Sequence, residues 1–282
     1  MTYLQAVVIG LLQGVTELVP ISSLGHSVLI PALLGWHGLV SAQHADESFY
    51  LAFLVGLHVA TALALLVFFR EDWVRIIGGF FRSLWRRRIE TADERLAWLL
   101  VVGTIPVGAV AVALEHALRT IFARPEAAAA FLTVNGLILL VGERVRRRSA
   151  LREAHRDLKT LEYRESIAIG GFQSLALLAG ISRSGITMVG GLVRGLDHED
   201  AARFAFLLAT PVILAAGIYK LPDLTGPLAQ GIRGQVLVGS LCAAVASYVS
   251  VRFLVRYFTS RNLNPFGVYC LVAGIACLIR FA

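Results

Sequence analysis

Residues 9–25, IGLLQGVTELVPISSLG, and residues 169–185, IGGFQSLALLAGISRSG, decide how this chain must fold. Both are apolar on average, and both are interrupted by groups that a lipid-facing helix does not tolerate. The first carries Thr16-Glu17, Pro20 and Ser22-Ser23; the second carries Gly180 and Ser182-Arg183-Ser184-Gly185, with Thr187 just beyond. Aligned without gaps at an offset of 160 residues, Ile9, Gly10, Gln13, Leu18, Ile21, Ser22 and Gly25 recur as Ile169, Gly170, Gln173, Leu178, Ile181, Ser182 and Gly185. Matches of Ile, Leu and Gly come easily in such a composition. The recurrence of Gln, Ser and the final Gly in register points to an internal duplication.

The surroundings of these stretches name their solvent. Of 282 residues, 57% are hydrophobic and only 16% are charged, and the mean hydropathy is +0.71. Soluble domains are about a quarter charged, so this surface must face lipid. A helix needs roughly 20 apolar residues to cross the hydrocarbon core, and six stretches qualify: 49–69, 96–114, 127–145, 201–219, 236–254 and 265–281. The broken regions, 2–46 and 165–196, cannot span as lipid-exposed helices. Irregular backbone at membrane depth persists only where protein buries it or a water-filled cavity borders it. Both are therefore expected to be re-entrant helix–loop–helix segments. The expectation is an all-α integral membrane protein forming a single polytopic domain over 1–282. Residues 1–145 make a first half, 146–164 a cytoplasmic linker and 165–282 a second half.

The net charge of +7 concentrates in 70–88, 144–164 and 252–261. In a multi-spanning chain such basic loops stay on the cytoplasmic side, which accounts for them without nucleic acid. Three spans then separate the two broken segments, so the repeats are inverted, with a polar site near mid-membrane where they meet. Residues 1–19 lack a basic n-region and a small-residue cleavage site and contain Glu17, unlike a cleaved signal peptide. Cys242, Cys270 and Cys277 match no metal spacing and read as small apolar filler. His58 reads as a hydrogen-bonded interior histidine, Asn135 and Pro106 as packing or kink residues, and Trp36, Trp73, Trp85 and Trp98 as an interfacial belt.

The chemistry lies in the breaks. Gln13 and Glu17 are four apart and share a helix face. Pro20 stops that helix, Ser22 or Ser23 can cap the next, and His26 follows. Ionisable groups inside a membrane are expensive and usually functional. In the second break, Gly180 and Gly185 allow tight turns. Ser182, Ser184 and Thr187, with the N–H groups of the following helix, suit an anion, and Arg183 adds a planar fork that matches phosphate oxygens in pairs. An anion beside Glu17 calls for a bridging cation, expected to be Mg²⁺ or another divalent ion such as Ca²⁺, held by Glu17 and substrate phosphate. The substrate-binding candidates are Gln13, Ser22, Ser182, Arg183, Ser184 and Thr187. The catalytic candidates are Glu17, Ser23, His26 and Arg183. The design requires Glu17 and Arg183 to share one cavity, because beyond about 15 Å a single phosphate head could not bridge them.

At these residues the sequence resembles the undecaprenyl-diphosphate phosphatases of bacteria, the bacitracin-resistance phosphatases. Gln13 to Glu17 matches the family's Glu-or-Gln-x-x-x-Glu motif, Pro20 to His26 its Pro-x-Ser-Ser-x-Gly-His stretch, and Ala179 to Thr187 its Pro-Gly-x-Ser-Arg-Ser-x-x-Thr motif; Phe204 to Pro211 extends the likeness. The resemblance implies hydrolysis of undecaprenyl diphosphate to the monophosphate and inorganic phosphate, recycling the carrier of peptidoglycan synthesis. It implies functional positions at Glu17, Ser23, His26, Ser182, Arg183 and Thr187, with Ser23 and His26 competing as nucleophile. It also implies a bacterial inner-membrane location with the site opening outward. Two positions depart from the pattern. Gln13 supplies no charge where many members have Glu, which rests metal binding on Glu17 alone, and Ala179 replaces Pro. The partners expected are a polyprenyl diphosphate and bilayer lipid, and a homo-oligomer is compatible with such a bundle. The competing functions are a transporter or flippase for polyprenyl phosphates and a non-catalytic lipid- or drug-binding protein. Clustered Glu, Ser, His and Arg favour catalysis over both.

Overall fold

The computed structural model describes residues 1–43, 48–122, 124–150, 156–220 and 231–281; for 115–122 and 149–150 it describes the backbone alone. Residues 44–46 of the first broken region and 151–155 of the linker lie outside these. The described residues form helices and connections without a β-strand; one isolated bridge joins Arg156 and Leu196. In chain order the helices are α1 (Tyr3–Thr16), α2 (Ser23–Leu33), α3 (His37–Gln43), α4 (Phe49–Phe68), α5 (Arg70–Arg86), α6 (Ala92–Phe122), α7 (Pro125–Ala150), α8 (Tyr163–Gln173), α9 (Arg183–Val193), α10 (His198–Tyr219), α11 (Arg233–Phe258) and α12 (Asn264–Phe281). Six of them, α4, α6, α7, α10, α11 and α12, are long and apolar enough to cross a bilayer. They coincide with the six stretches read from the sequence, so this is a multi-pass membrane protein.

The basic run 70–88, expected as a connecting loop, is instead largely the helix α5. Its residues Ile76, Gly79 and Ser83 are buried, and that periodic face gives the segment something to pack against despite its charges.

The broken regions are each two short helices joined by an irregular link: α1 and α2 in the first, α8 and α9 in the second. The halves interlock through them. α1 packs along α11, and α8 packs along α6. The contact is made at equivalent points: a Cβ on Gly10 would strike the backbone of Gly239, and one on Gly170 would strike the backbone of Gly103. Glycine here lets two helix backbones touch, the usual means of close packing where lipid offers no hydrophobic drive. α10 lies at the centre, with Phe204, Phe206, Leu207 and Leu208 fully buried. The two broken regions are thereby held against each other inside the bundle.

Candidate active site

Each link breaks its helix for a local reason. α1 still receives a bond from Glu17 N to Gln13 O at 3.0 Å. Pro20 then offers no N–H and cannot continue the ladder. Ser22 adopts φ 72°, a left-handed region that non-glycine residues seldom occupy. Its side chain caps α2 by accepting from Gly25 N at 3.2 Å. In the second link a 3₁₀ turn (Ser174–Leu177) leads to Gly180 at φ 116°, a conformation that glycine alone takes without strain. Ser182 caps α9 by accepting from Gly185 N, also at 3.2 Å. The two caps are equivalent positions of the repeated motif.

The links are bonded to each other. Gly180 N donates to Ser22 Oγ at 3.1 Å. Asn135, fully buried on α7, donates to Pro20 O at 3.1 Å and accepts from Ser182 N at 3.0 Å, so one side chain staples both turns. Gly25 and Gly180 approach so closely that a Cβ on Gly25 would lie 2.9 Å from Gly180 Cα.

This apposition brings the two charges together. Arg183 Nη2 lies 2.6 Å from Glu17 Oε1, and both side chains are largely buried. Glu17 Oε2 accepts from Gln13 Nε2 at 3.1 Å and from Ser23 Oγ. His58, on α4, presents Nε2 to the same oxygen at 3.4 Å while its Nδ1 bonds Leu54 O at 2.7 Å. A carbonyl oxygen only accepts, so Nδ1 carries hydrogen and the ring is fixed in orientation. A cavity of about 250 Å³ opens beside this cluster. Glu17, Ser22, Ser23, His58, Ser182 and Arg183 form its polar end, with an apolar wall of Val55, Leu177, Val212 and Ile213. Two buried polar atoms in the cluster, Gln13 Oε1 and Arg183 Nη1, have no hydrogen-bond partner among the described residues. A buried guanidinium nitrogen without an acceptor is costly, and an incoming oxyanion would supply one.

Not every residue singled out from the sequence faces the cavity. His26 is buried beside it, but Nδ1 donates to Ser22 O at 2.7 Å and Nε2 meets Tyr269 OH at 2.9 Å. In the neutral ring Nε2 accepts from that hydroxyl, so both nitrogens are engaged and the ring clamps the strained Ser22 backbone. Ser184 Oγ lies 3.1 Å from Ser182 Oγ, and Thr187 Oγ1 donates to Arg183 O in its own helix at 2.8 Å. Sequence reasoning passed over His58 and Asn135 as ordinary interior residues. Each is joined to the site only through long-range contact, although a histidine in an otherwise apolar span was a usable signal for the first. Among the described residues no three His, Cys, Asp or Glu side chains are grouped to hold a metal. Of these residues Glu17 is the only carboxylate lining the cavity, and the neighbouring Gln13 Oε1 lacks a partner among them, so a cation held here would bring most of its ligands as water and phosphate.

Chemically, the cluster is a hydroxyl donating to a carboxylate, with a guanidinium and a helix N-terminus alongside, the components of acyl or phosphoryl transfer to a positioned nucleophile. Relatives agree in kind. A Mycolicibacterium paratuberculosis protein named undecaprenyl-diphosphatase is 58% identical over 300 aligned positions, covering 100% of this chain and 98% of that one. A Frankia alni protein, undecaprenyl-diphosphatase 2, is 56% identical over 338 positions with the same coverage. Another undecaprenyl-diphosphatase 2, from Burkholderia orbicola, is 45% identical over 273 positions, covering 96% and 94%. The profile described as bacitracin resistance protein BacA matches residues 6–276. With nearly its whole length matched, including both breaks that meet at Glu17 and Arg183, the chain belongs to the bacitracin resistance protein BacA family.

Proposed function

We propose that this protein hydrolyses undecaprenyl diphosphate to undecaprenyl phosphate and inorganic phosphate, recycling the lipid carrier of cell-wall synthesis and thereby conferring bacitracin resistance. The observation that carries the reading is the contact of Ser23 Oγ with Glu17, whose other oxygen is held by Arg183. Translocation alone needs no hydroxyl poised on a carboxylate, so this arrangement favours the enzyme over a flippase.

In this mechanism the free Arg183 Nη1 and the N-terminal N–H groups of α9 hold the terminal phosphate. Glu17 takes the proton of Ser23 as its oxygen attacks the terminal phosphorus. The bond to the bridging oxygen breaks, and undecaprenyl phosphate departs with that oxygen. Water then hydrolyses the phosphoserine, releasing inorganic phosphate and restoring Ser23. His58 holds Glu17 in place, and His26 supports the Ser22 turn rather than reacting. Gln13 and Glu17 would hold a divalent cation, Mg²⁺ or Ca²⁺, which when bound neutralises phosphate charge.

The two broken regions are read as re-entrant, inverted copies in the bacterial inner membrane, with the cavity open to the outer face. Two observations support that side. The cavity reaches Ala216, Gly217 and Lys220 at the C-terminal end of α10. The opposite end of α10 is bound to the basic linker, where Asp200 accepts from Leu158 N at 2.6 Å.

The test is phosphate release from undecaprenyl diphosphate by detergent-purified protein, with and without chelator. Release that ceases on chelation and returns with Mg²⁺ supports enzyme and cation together. Release indifferent to chelator removes the cation, and no release under any condition removes the enzyme reading in favour of transport.

A further inference from the structure

Helix α5 (Arg70–Arg86) takes no part in the site, and its faces differ sharply. One face is buried on α6, where Ser83 Oγ accepts from Trp98 Nε1 at 3.0 Å and the Phe80 ring lies 5.2 Å from that of Trp98. On the opposite face Val74, Ile77, Phe81, Leu84 and Trp85 are all exposed, Val74 to 73%, Phe81 to 64% and Trp85 to 90%. These recur at three- and four-residue spacing and form one stripe. Between the two runs a polar stripe of Glu71, Arg75, Arg82 and Arg86, continued by Arg87 and Arg88 past the helix end. Arg75 and Arg203 both bind Asp72, at 2.5 and 2.6 Å, which ties the start of α5 to the end of α10 that meets the basic linker. Arg86 pairs with Glu90 at 3.5 Å, whereas Arg82, Arg87 and Arg88 make no ion pair among the described residues.

A helix bathed in water would not expose five large apolar side chains in a line, and a helix crossing the bilayer would not carry an arginine stripe. A helix lying flat in the headgroup layer satisfies both faces. We propose that α5 lies in the plane of the membrane on the side of the basic connections, its apolar stripe sunk to the acyl boundary, and that Arg82, Arg87 and Arg88 bind anionic phospholipid headgroups there. Charge complementarity selects this occupant: the inner leaflet is negative, and basic residues at its surface are drawn to it.

The proposal is tested on the full chain in vesicles of phosphatidylcholine with a minority of phosphatidylglycerol. An environment-sensitive fluorophore is placed by Phe81→Cys in a Cys242→Ser background, the remaining Cys270 and Cys277 being buried. A nitroxide near the headgroup end of the acyl chain is expected to quench more than one at the chain terminus, and aqueous iodide to quench little. Nitroxide on phosphatidylglycerol should quench about two- to fivefold more than on phosphatidylcholine at equal fraction, the ratio falling to about one in Arg82→Gln/Arg87→Gln/Arg88→Gln. Dominant iodide quenching would show a face turned to water or to a protein partner, and dominant chain-terminus quenching a deeply inserted helix; either overturns the placement. Equal quenching by the two lipids in the parent overturns the anionic site.

Discussion

The two breaks share a framework and differ in their chemistry. Gly10 and Gly170 make equivalent close approaches, Ser22 and Ser182 cap equivalent helices, and Gly25 and Gly185 donate to those caps at the same distance. Where the copies part, they part in charge: Glu17 stands against Leu177, Ser23 against Arg183, and His26 against Ile186. The agreeing Ser22 and Ser182 build the turns, and the diverging Glu17, Ser23 and Arg183 bring the chemistry to the cavity, whereas His26 diverges without facing it. Two turns of similar build thus place an acid and its hydroxyl on one side and a cation on the other, so that neither turn carries the whole cluster.

That contrast is broken most severely by removing the hydroxyl, the carboxylate or the guanidinium that meet there. Ser23→Ala, Glu17→Gln and Arg183→Ala are each expected to lower phosphate release by roughly a thousandfold or more, the scale of losing a nucleophile, its base or an oxyanion donor. Truncating either partner also leaves a buried charge unmatched, so each variant is compared with wild type by thermal unfolding in detergent. The double exchange Glu17→Arg/Arg183→Glu separates the two effects. It restores the pair and folded stability but puts the carboxylate on the phosphate-binding turn, and it should remain inactive. Activity in the exchanged protein would show that the pair, not its polarity, matters.

The staple between the two turns comes next. Asn135→Leu leaves Ser182 N without its partner and Pro20 O with only the weak Cys270 thiol contact at 3.9 Å, at a cost of about 1–3 kcal/mol for an unsatisfied buried group. Release should fall by about ten- to a hundredfold as the turns separate, and the unfolding midpoint should fall with it. A drop in activity with an unchanged midpoint would instead assign Asn135 to the substrate. His58→Gln should be milder, about tenfold in kcat with little change in KM, since glutamine can keep one donor on Glu17 while losing the fixed ring. A large rise in KM would make His58 a substrate contact.

These two residues mark where the sequence stopped being readable. Composition and length sufficed for six spans, because about 20 apolar residues have one use in a bilayer. The breaks were legible because Glu17 and Arg183 have no place on a lipid-facing helix, and their meeting at 2.6 Å lies far inside the reach a phosphate needs. Asn135 and His58 sit in unbroken apolar spans, and nothing in their spacing says which turn they will touch. Helix α5 was hidden for a different reason: its arginines outweigh an apolar stripe that only three-dimensional packing on α6 makes visible.

The smallest effect is the sharpest check on reading chemistry from helical spacing. Thr187 lies one turn beyond Arg183, and Ser184 beside it, which suggested hydroxyls aimed at phosphate. Instead Thr187 Oγ1 donates to Arg183 O at 2.8 Å, and Ser27, at the aligned position of the first break, likewise donates to Leu24 O within its own helix at 2.9 Å. A hydroxyl bonded back to its own turn belongs to the framework. Ser184→Ala and Thr187→Val should therefore each change release by no more than about threefold, the scale of one hydrogen bond of about 0.5 kcal/mol. The measurement is kcat/KM on undecaprenyl diphosphate with both variants folded. A loss above about a hundredfold in Thr187→Val would mean that its hydroxyl turns to the phosphate when substrate arrives, and the line drawn between framework and chemistry would then have to move one helical turn deeper into α9.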